Sequence, residues 1–587
     1  MWVFVWRNRR ASEVRMTWIE EKLKKIRGMF KSETIPQFDD DLETPEQYKE
    51  RWRSIYIVYF TMFLISLGFS IIVTGVWPYL DKIDPTASKE FMGFIIAANP
   101  FAQMIFSPLV GWWTNRLGSI RLPLISSLTV FMISSAIYSS LELFPSHRKH
   151  WMLWSRFLVG VSSASVAACR SYLSAATRYS ERTKAVSMIS LAQIIGFIVG
   201  PAVQAALVPL GGEGVWLIQG KLKLNMYTAS GWLNVFLTLF NMYCFFPSMF
   251  KEHKIAVKEA MLQTGKDNVK EMWKEENISY VSAWSTIVAF FVLVFNFMLL
   301  ETLGTPLTMD QFAWSKSESL WYMGILMSVG AVVAIMTFAS IAPLSRRFSE
   351  TKIMIWFGFF LMVLGRFSMI PFSGDTPKMY DSNFKLELSS YCDTIFKNKS
   401  SELNVTRMQE TLSSFGVYLE INAKNESSVR NMTFNCGEDV VGCPSNQKWC
   451  SYTPALGLAQ FILGYLFTSF GYPIAVTLLQ TIFSKLLGSK PQGVWMGFMV
   501  GAGCLSRVMG PIFVTYIYEE YGTVWTFGFT TVMMIVCQIW LLWIQNSLNP
   551  DLKKDEATDQ ELQETSKFAS VDLEIENGIQ RNCDNVQ

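Results

Sequence analysis

Along most of the chain, apolar residues continue for about twenty positions before a short polar break interrupts them. A run of that length crosses the roughly 30 Å hydrocarbon core of a bilayer as one α-helix. Twelve such runs are predicted as membrane helices, over residues 55–77, 91–113, 122–143, 151–173, 185–209, 226–248, 283–306, 319–343, 353–372, 453–482, 494–518 and 524–546. Small residues and prolines recur inside them. Ser187–Gln204 reads SMISLAQIIGFIVGPAVQ, with Gly196, Gly200 and Pro201 on one helical face. Met496–Val514 reads MGFMVGAGCLSRVMGPIFV and sets Gly510 and Pro511 in the corresponding place. Membrane helices tolerate such residues because neighbouring helices re-satisfy freed backbone groups, and glycines four apart let two helices approach closely. The echo predicts an internal duplication into two six-helix bundles, 55–250 and 283–546.

The polar stretches divide into two sets with unequal charge. Loops 114–121, 178–184, 251–282, 344–352 and 483–493 carry 16 Lys and Arg, whereas 78–90, 144–150, 210–225, 307–318 and 519–523 carry 7. Excess positive charge marks the cytoplasmic side, so both termini are expected there. Loop 373–452 then falls on the lumenal or extracellular side. It holds four glycosylation acceptors, Asn398, Asn404, Asn425 and Asn431, and four clustered cysteines, Cys392, Cys436, Cys443 and Cys450. Both features suit a non-cytosolic, disulfide-permissive compartment, although four cysteines allow three pairings. Residues 251–282 interleave six lysines with six acids and read as a cytoplasmic linker with an amphipathic helix. The arm 1–54 places Met16, Ile19, Leu23, Ile26 and Phe30 at helical spacing among basic residues, which suits an anionic membrane surface or a solvated arm. The tail 547–587 is acidic and lacks apolar periodicity.

Composition agrees with a polytopic all-α membrane protein. Half the residues are hydrophobic and 17% are charged. The net charge of +3 gives no reason to expect nucleic acid as a partner; the expected surroundings are the lipid bilayer. His147 and His150 form an isolated H-x-x-H without further ligands, so no metal site is expected. Neither a nucleophile elbow nor a phosphate-binding loop is present in the sequence, and neither an enzymatic role nor a cofactor is expected.

Gly111–Arg121 reads GWWTNRLGSIR and resembles the loop signature of the major facilitator superfamily at Gly111, Arg116, Gly118 and Arg121. Asn115 stands where the family usually has an acid, which latches one conformation by an ion pair. An amide can only hydrogen-bond there, so a weaker latch is expected. Arg156-x-x-x-Gly160-x-x-x-Ala164 resembles the family's fourth-helix motif, and Gly196-x-x-x-Gly200-Pro201 its fifth-helix motif; the second-half loop counterpart, Pro343–Phe348, is degenerate. Glu301–Trp314 (ETLGTPLTMDQFAW), Ser451–Phe461 (SYTPALGLAQF), Lys490–Gly497 (KPQGVWMG), Arg51–Ser54 and Trp77–Ala87 are similar to the lysosomal branch of that superfamily. The resemblance implies the twelve-helix major facilitator fold, residence in late endosomes and lysosomes, and an outwardly rectifying chloride conductance. An acidic dileucine sorting signal, frequent in lysosomal members, is not found: Leu486–Leu487 lacks the upstream acid.

Ionisable groups at membrane depth are expensive and tend to face a cavity or a partner. Arg156, Arg170, Arg366 and Arg507 lie inside predicted spans, Glu301 near the far end of span seven, and Asp310 just beyond it. With Gln193 they are the candidate substrate path. Positive groups outnumber acids, which favours anions such as chloride over a proton relay built of carboxylates. Two other roles fit the same residues: a proton-coupled carrier of a small organic anion using Glu301 or Asp310, and a non-transporting scaffold whose glycosylated loop and termini recruit partners. Oligomeric state is not legible in the sequence.

Overall fold

The computed structural model describes residues 42–84, 89–211, 214–218, 222–265, 268–275, 278–380, 442–444 and 447–548. The four glycosylation acceptors, Cys392, Cys436, the basic arm and the acidic tail lie outside the described residues. The helices are α1 Pro45–Ile83, α2 Lys89–Leu117, α3 Arg121–Ser139, α4 Arg148–Ser163, α5 Ser165–Ala176, α6 Arg182–Leu207, α7 Thr228–Cys244, α8 Ile255–Thr264, α9 Val269–Glu275 and α10 Tyr280–Phe312. There follow α11 Lys316–Ser345, α12 Glu350–Ile353, a π-helical stretch Met354–Phe359, α13 Phe360–Ser368, α14 Leu458–Leu486 and α15 Gly493–Trp543. Two-stranded pairings, β1 Val215–Ile218 with β2 Leu222–Leu224 and β3 Met379–Tyr380 with β4 Cys443–Pro444, tie down loops.

Among the described residues, ten stretches are long and apolar enough to cross a membrane. One of them, α15, leaves helical geometry at Gly522 and is therefore two helices joined end to end. The 17-residue α7 packs among the others as a further helix of the bundle. Twelve helices result, in the expected order.

Local chemistry explains where several boundaries differ from expectation. α1 starts at Pro45, ten positions before residue 55, because Thr44 and Gln47 form a reciprocal capping box and Pro45 occupies the first turn. α10 runs through Pro306 to Phe312, so Asp310 lies within the helix and not beyond it. Thr308, Met309 and Gln311 carry no stop signal, and a proline inside a membrane helix is re-satisfied by neighbours. The fourth span divides at Ala164 into α4 and α5. Linker 251–282 folds into two short helices, α8 and α9, where one was expected.

The packing repeats between the halves. α1 lies on α6 as α10 lies on the first limb of α15; α2 lies on α4 as α11 lies on α14; α3 lies on α7 as α13 lies on the second limb of α15. Gly196 and Gly200 sit against α1 so tightly that a Cβ would come within 2.5 Å of Phe63 O and of Ser70 Cβ. Ser70 Oγ donates to Phe197 O at 2.9 Å across the same contact. Gly510 faces Met298 on α10 with more room, 3.2 Å. Lipid supplies no hydrophobic drive between helices, so such close approaches and interhelical hydrogen bonds, about 0.6 kcal/mol each, hold the bundle. Thr61 to Asn241 at 2.9 Å and Asn234 to Gly68 O at 2.9 Å are further examples.

The halves meet along two seams, α2 against the first limb of α15 and α6 against α11. Two ends of the bundle are distinguished below: the Gly118 end, where α2 turns into α3, and the Trp449 end, where Cys443, Trp449, Cys450 and Leu456 pack on α10 and α15.

Candidate functional site: charges between the halves

Five helices bring polar side chains together at mid-depth. Arg170 on α5 donates from Nη2 to Gln193 Oε1 on α6 at 3.0 Å. Its Nε and Nη1 are buried and find no acceptor. Arg507 on α15 lies within electrostatic reach of Arg170, and Tyr472 on α14 faces both guanidinium groups. Glu301 on α10 lies within reach of Arg507 and of Tyr465 and Tyr472. Glu301 and Arg507 remain accessible to solvent. Arg507 is coupled electrostatically to Arg170 of the other half, and Glu301 to Arg507. Phe297, one turn before Glu301, stacks on Tyr472 with ring centroids 4.0 Å apart. The group therefore holds two guanidiniums, one carboxylate, an amide and two phenols, with net positive charge.

The other residues expected on the path are elsewhere. Arg366 is fully buried, with Nη2 reaching from α13 to Asn296 O on α10 and Nη1 3.7 Å from Met369 Sδ. Arg156 is 3% exposed and lies over the Tyr138 ring, 5.1 Å from its centroid. Asp310 accepts from Tyr518 Oη–H at 2.9 Å near the Trp449 end.

The Gly118 end is pinned across the halves. Gly111 and Gly493 approach so closely that a Cβ on Gly111 would lie 2.1 Å from Gly493 O. Asn115 Oδ1 accepts the Gly493 N–H at 2.9 Å, and Asn115 Nδ2 donates to Pro491 O at 3.3 Å. Ser484 Oγ donates to Ser174 Oγ at 2.7 Å, and Arg182 Nη1 to Ser484 O at 3.2 Å. Thr183 on α6 bonds Glu350 on α12, and Lys485 pairs with the same carboxylate at 2.9 Å. Gly118 turns the chain at φ 62°; Arg116 lies over Trp112, and Arg121 Nη2 donates to Phe250 O at 2.5 Å. Glu252 Oε1 accepts from Ser119 Oγ and from the amides of Ile120 and Arg121, capping α3.

Tyr465, Tyr472, Glu252, Glu350 and Ser484 escape a reading of the sequence. Tyrosines are common at membrane depth, and the acids lie in charge-rich loops where partners are set by distant segments. Tyr472 alone carried a usable signal, since it precedes Pro473 within an apolar run.

A family model described as Major Facilitator Superfamily matches residues 58–381 and 449–573. Major facilitator superfamily domain-containing protein 8 of Xenopus laevis is 34% identical over 513 residues, 87% of this chain and 94% of that protein. Multidrug resistance protein 2 of Bacillus subtilis is 24% identical over 295 residues, 49% of this chain and 67% of that protein. Among solved structures, the human organic anion transporter MFSD10 superposes with TM-score 0.53 at 16% identity, covering 85% of this chain and all of that one. The proton:xylose symporter XylE of that fold gives 0.55 at 12% identity, covering 84% and 96%. A bacterial homologue of ferroportin in an outward-facing state gives 0.53 at 9% identity, covering 83% and 98%.

Proposed function

The chain belongs to the major facilitator superfamily and is a membrane transporter, and from that premise we propose that it passes small anions, chloride first among them, across the late-endosomal or lysosomal membrane. The observation that carries this reading is the electrostatic coupling of Arg170 with Arg507 across the halves, with one carboxylate, Glu301, coupled to Arg507. An anion placed between two coupled like charges relieves their repulsion, and the unpartnered Nε and Nη1 of Arg170 supply donors for it. Gln193 orients Arg170. Tyr472 supplies a neutral hydroxyl that can follow the anion without repelling it.

The two halves act as rocking bodies about this site. The contacts at Asn115, Ser484 and Glu350 close the Gly118 end, which the charge bias of the loops assigns to the cytoplasm, so the arrangement is the one that admits anions from the lumen. The domain limits 55–250 and 283–546 and the linker 251–282 are the corresponding moving parts.

Glu301 supports a second reading. A carboxylate beside Arg507 competes with an anionic substrate for that guanidinium, and protonating it frees Arg507. This is the arrangement a proton-coupled carrier of a small organic anion would use.

Purified protein in liposomes under a single-chloride gradient tests both. Arg170→Gln with Arg507→Gln is expected to lower chloride flux at least about tenfold, the effect of losing roughly 1.4 kcal/mol of anion stabilisation. Unchanged flux in well-folded protein would overturn the proposal. Uptake of an organic anion that follows a pH gradient and is lost in Glu301→Gln would select the second reading.

A further inference from the structure

Four arginines are buried among the described residues: Arg51, Arg156, Arg182 and Arg366. Three have acceptors. Arg51 is held by Glu43 and Glu181, Arg182 by Ser174 O and Ser484 O, and Arg366 by Asn296 O. At Arg156, the Nε, Nη1 and Nη2 atoms are all buried and none meets a protein acceptor. A guanidinium presents five N–H donors and keeps its charge in proteins. Burying it unpaired carries a penalty of several kcal/mol.

Two more unpaired donors are buried in the same half. Asn99 Nδ2 on α2 is buried without an acceptor, and Asn99 O would lie 2.2 Å from a Cβ on Gly160, one turn beyond Arg156. Ser135 Oγ on α3, one turn before Tyr138, is also buried and unpaired. Tyr138 covers one face of the guanidinium, and Tyr79 closes on Tyr138 edge-on, with centroids 5.2 Å apart. Tyr79 in turn stacks on Tyr227 at 5.0 Å. Arg156 thus sets three unpaired nitrogens beside an aromatic wall, with no carboxylate paired to it among the described residues.

We propose that Arg156 holds a small monovalent anion, of halide size, inside the first six-helix half, separate from the group between the halves. A halide takes several N–H donors at once without supplying a hydrogen that would itself need an acceptor, which a water molecule must. The tight packing of α4 on α2 at Gly160, where a Cβ would overlap Asn99 O, favours a monatomic ion over a carboxylate-bearing metabolite. The ion neutralises Arg156 where α4 meets α3 at Tyr138, so its role is to stabilise the half that carries Arg170. It does not move with the transported species.

The test uses full-length purified protein in nanodiscs. Thermal melting is compared in sodium bromide and in sodium gluconate at matched ionic strength. A saturable rise of about 2 °C in bromide is expected for the unmodified chain and for the Arg170→Gln/Arg507→Gln double variant. The rise is expected to vanish when Arg156→Gln is added to that double variant, in which the group between the halves has lost both guanidiniums. In crystals grown in bromide, an anomalous peak is expected in hydrogen-bond contact with the Arg156 guanidinium, a measurement that needs no variant to fold. A bromide rise that persists when Arg156→Gln is added to the double variant, a rise lost in the double variant itself, or no peak at Arg156 would each overturn the proposal.

Discussion

Asn115 grips Gly493 across the two halves: its Oδ1 accepts the glycine N–H at 2.9 Å while its Nδ2 reaches Pro491 O at 3.3 Å. An acid at this position would accept the first bond but could not donate the second. The amide therefore clasps a backbone turn in place of an ion pair, and the glycine pair Gly111 and Gly493 lets the two helices come close enough for it.

Removing the clasp with Asn115→Ala is expected to weaken the closed Gly118 end by about 1–2 kcal/mol, one typical hydrogen bond to two. That corresponds to a shift of about 5–30-fold in the balance of closed and open forms. Labelling of a cysteine introduced at Ser174 checks it: the rate should rise by a similar factor. Gly111→Val should act in the same direction and more strongly, since its side chain would overlap Gly493.

Glu350 bonds Thr183 of the first half and Lys485 of its own half. Glu350→Gln, Lys485→Gln and the pair together form a double-mutant cycle. The two residues are partly shielded from water, so a coupling of about 0.5–3 kcal/mol is expected in the same labelling assay. Additive effects would show that the ion pair does not contribute to closure.

Trp449 is wedged against Gly522, where a Cβ would lie 2.5 Å from the indole and the backbone adopts φ 81°, ψ −170°. That conformation is essentially restricted to glycine. Gly522→Ala is expected to destabilise the protein by both strain and overlap, and Trp449→Ala by about 3–5 kcal/mol through the cavity it leaves. In the double variant the overlap is relieved while the backbone strain stays. Its melting temperature should therefore lie above the sum of the single losses. The Cys443–Cys450 disulfide staples the turn that presents Trp449, so reducing it should lower the melting temperature of the unmodified chain but little that of Trp449→Ala.

Burial holds the His253 imidazole below the ordinary histidine value, against the opposing pull of Glu50. The folded chain thus binds this proton less readily than the unfolded one. Stability contributed here is present above about pH 6.5 and is lost as pH falls from there toward the folded value. Replacing His253 with Gln should remove that part of the acid slope in a melting series. An unchanged slope would assign it to other groups.

The chain's hydrophobic rhythm, by itself, determined the number and order of the helices, because each span must satisfy its own backbone bonds within lipid. It also marked the duplicated Gly-Pro helices and the superfamily, through short words such as Gly111–Arg121 that depend on local geometry. Tertiary structure alone decided which buried charges meet. Arg170, Arg366 and Arg507 look alike in sequence, each a lone cation in an apolar run. Packing turns Arg366 onto a carbonyl of α10 and brings Arg170 and Arg507 toward one another and Glu301, since charge pairing depends on helix rotation and on contacts hundreds of residues apart. The partners of Asn115 and Glu350 were hidden for the same reason: a hydrogen bond across a seam is set by how two halves dock, and no periodicity along one of them encodes it.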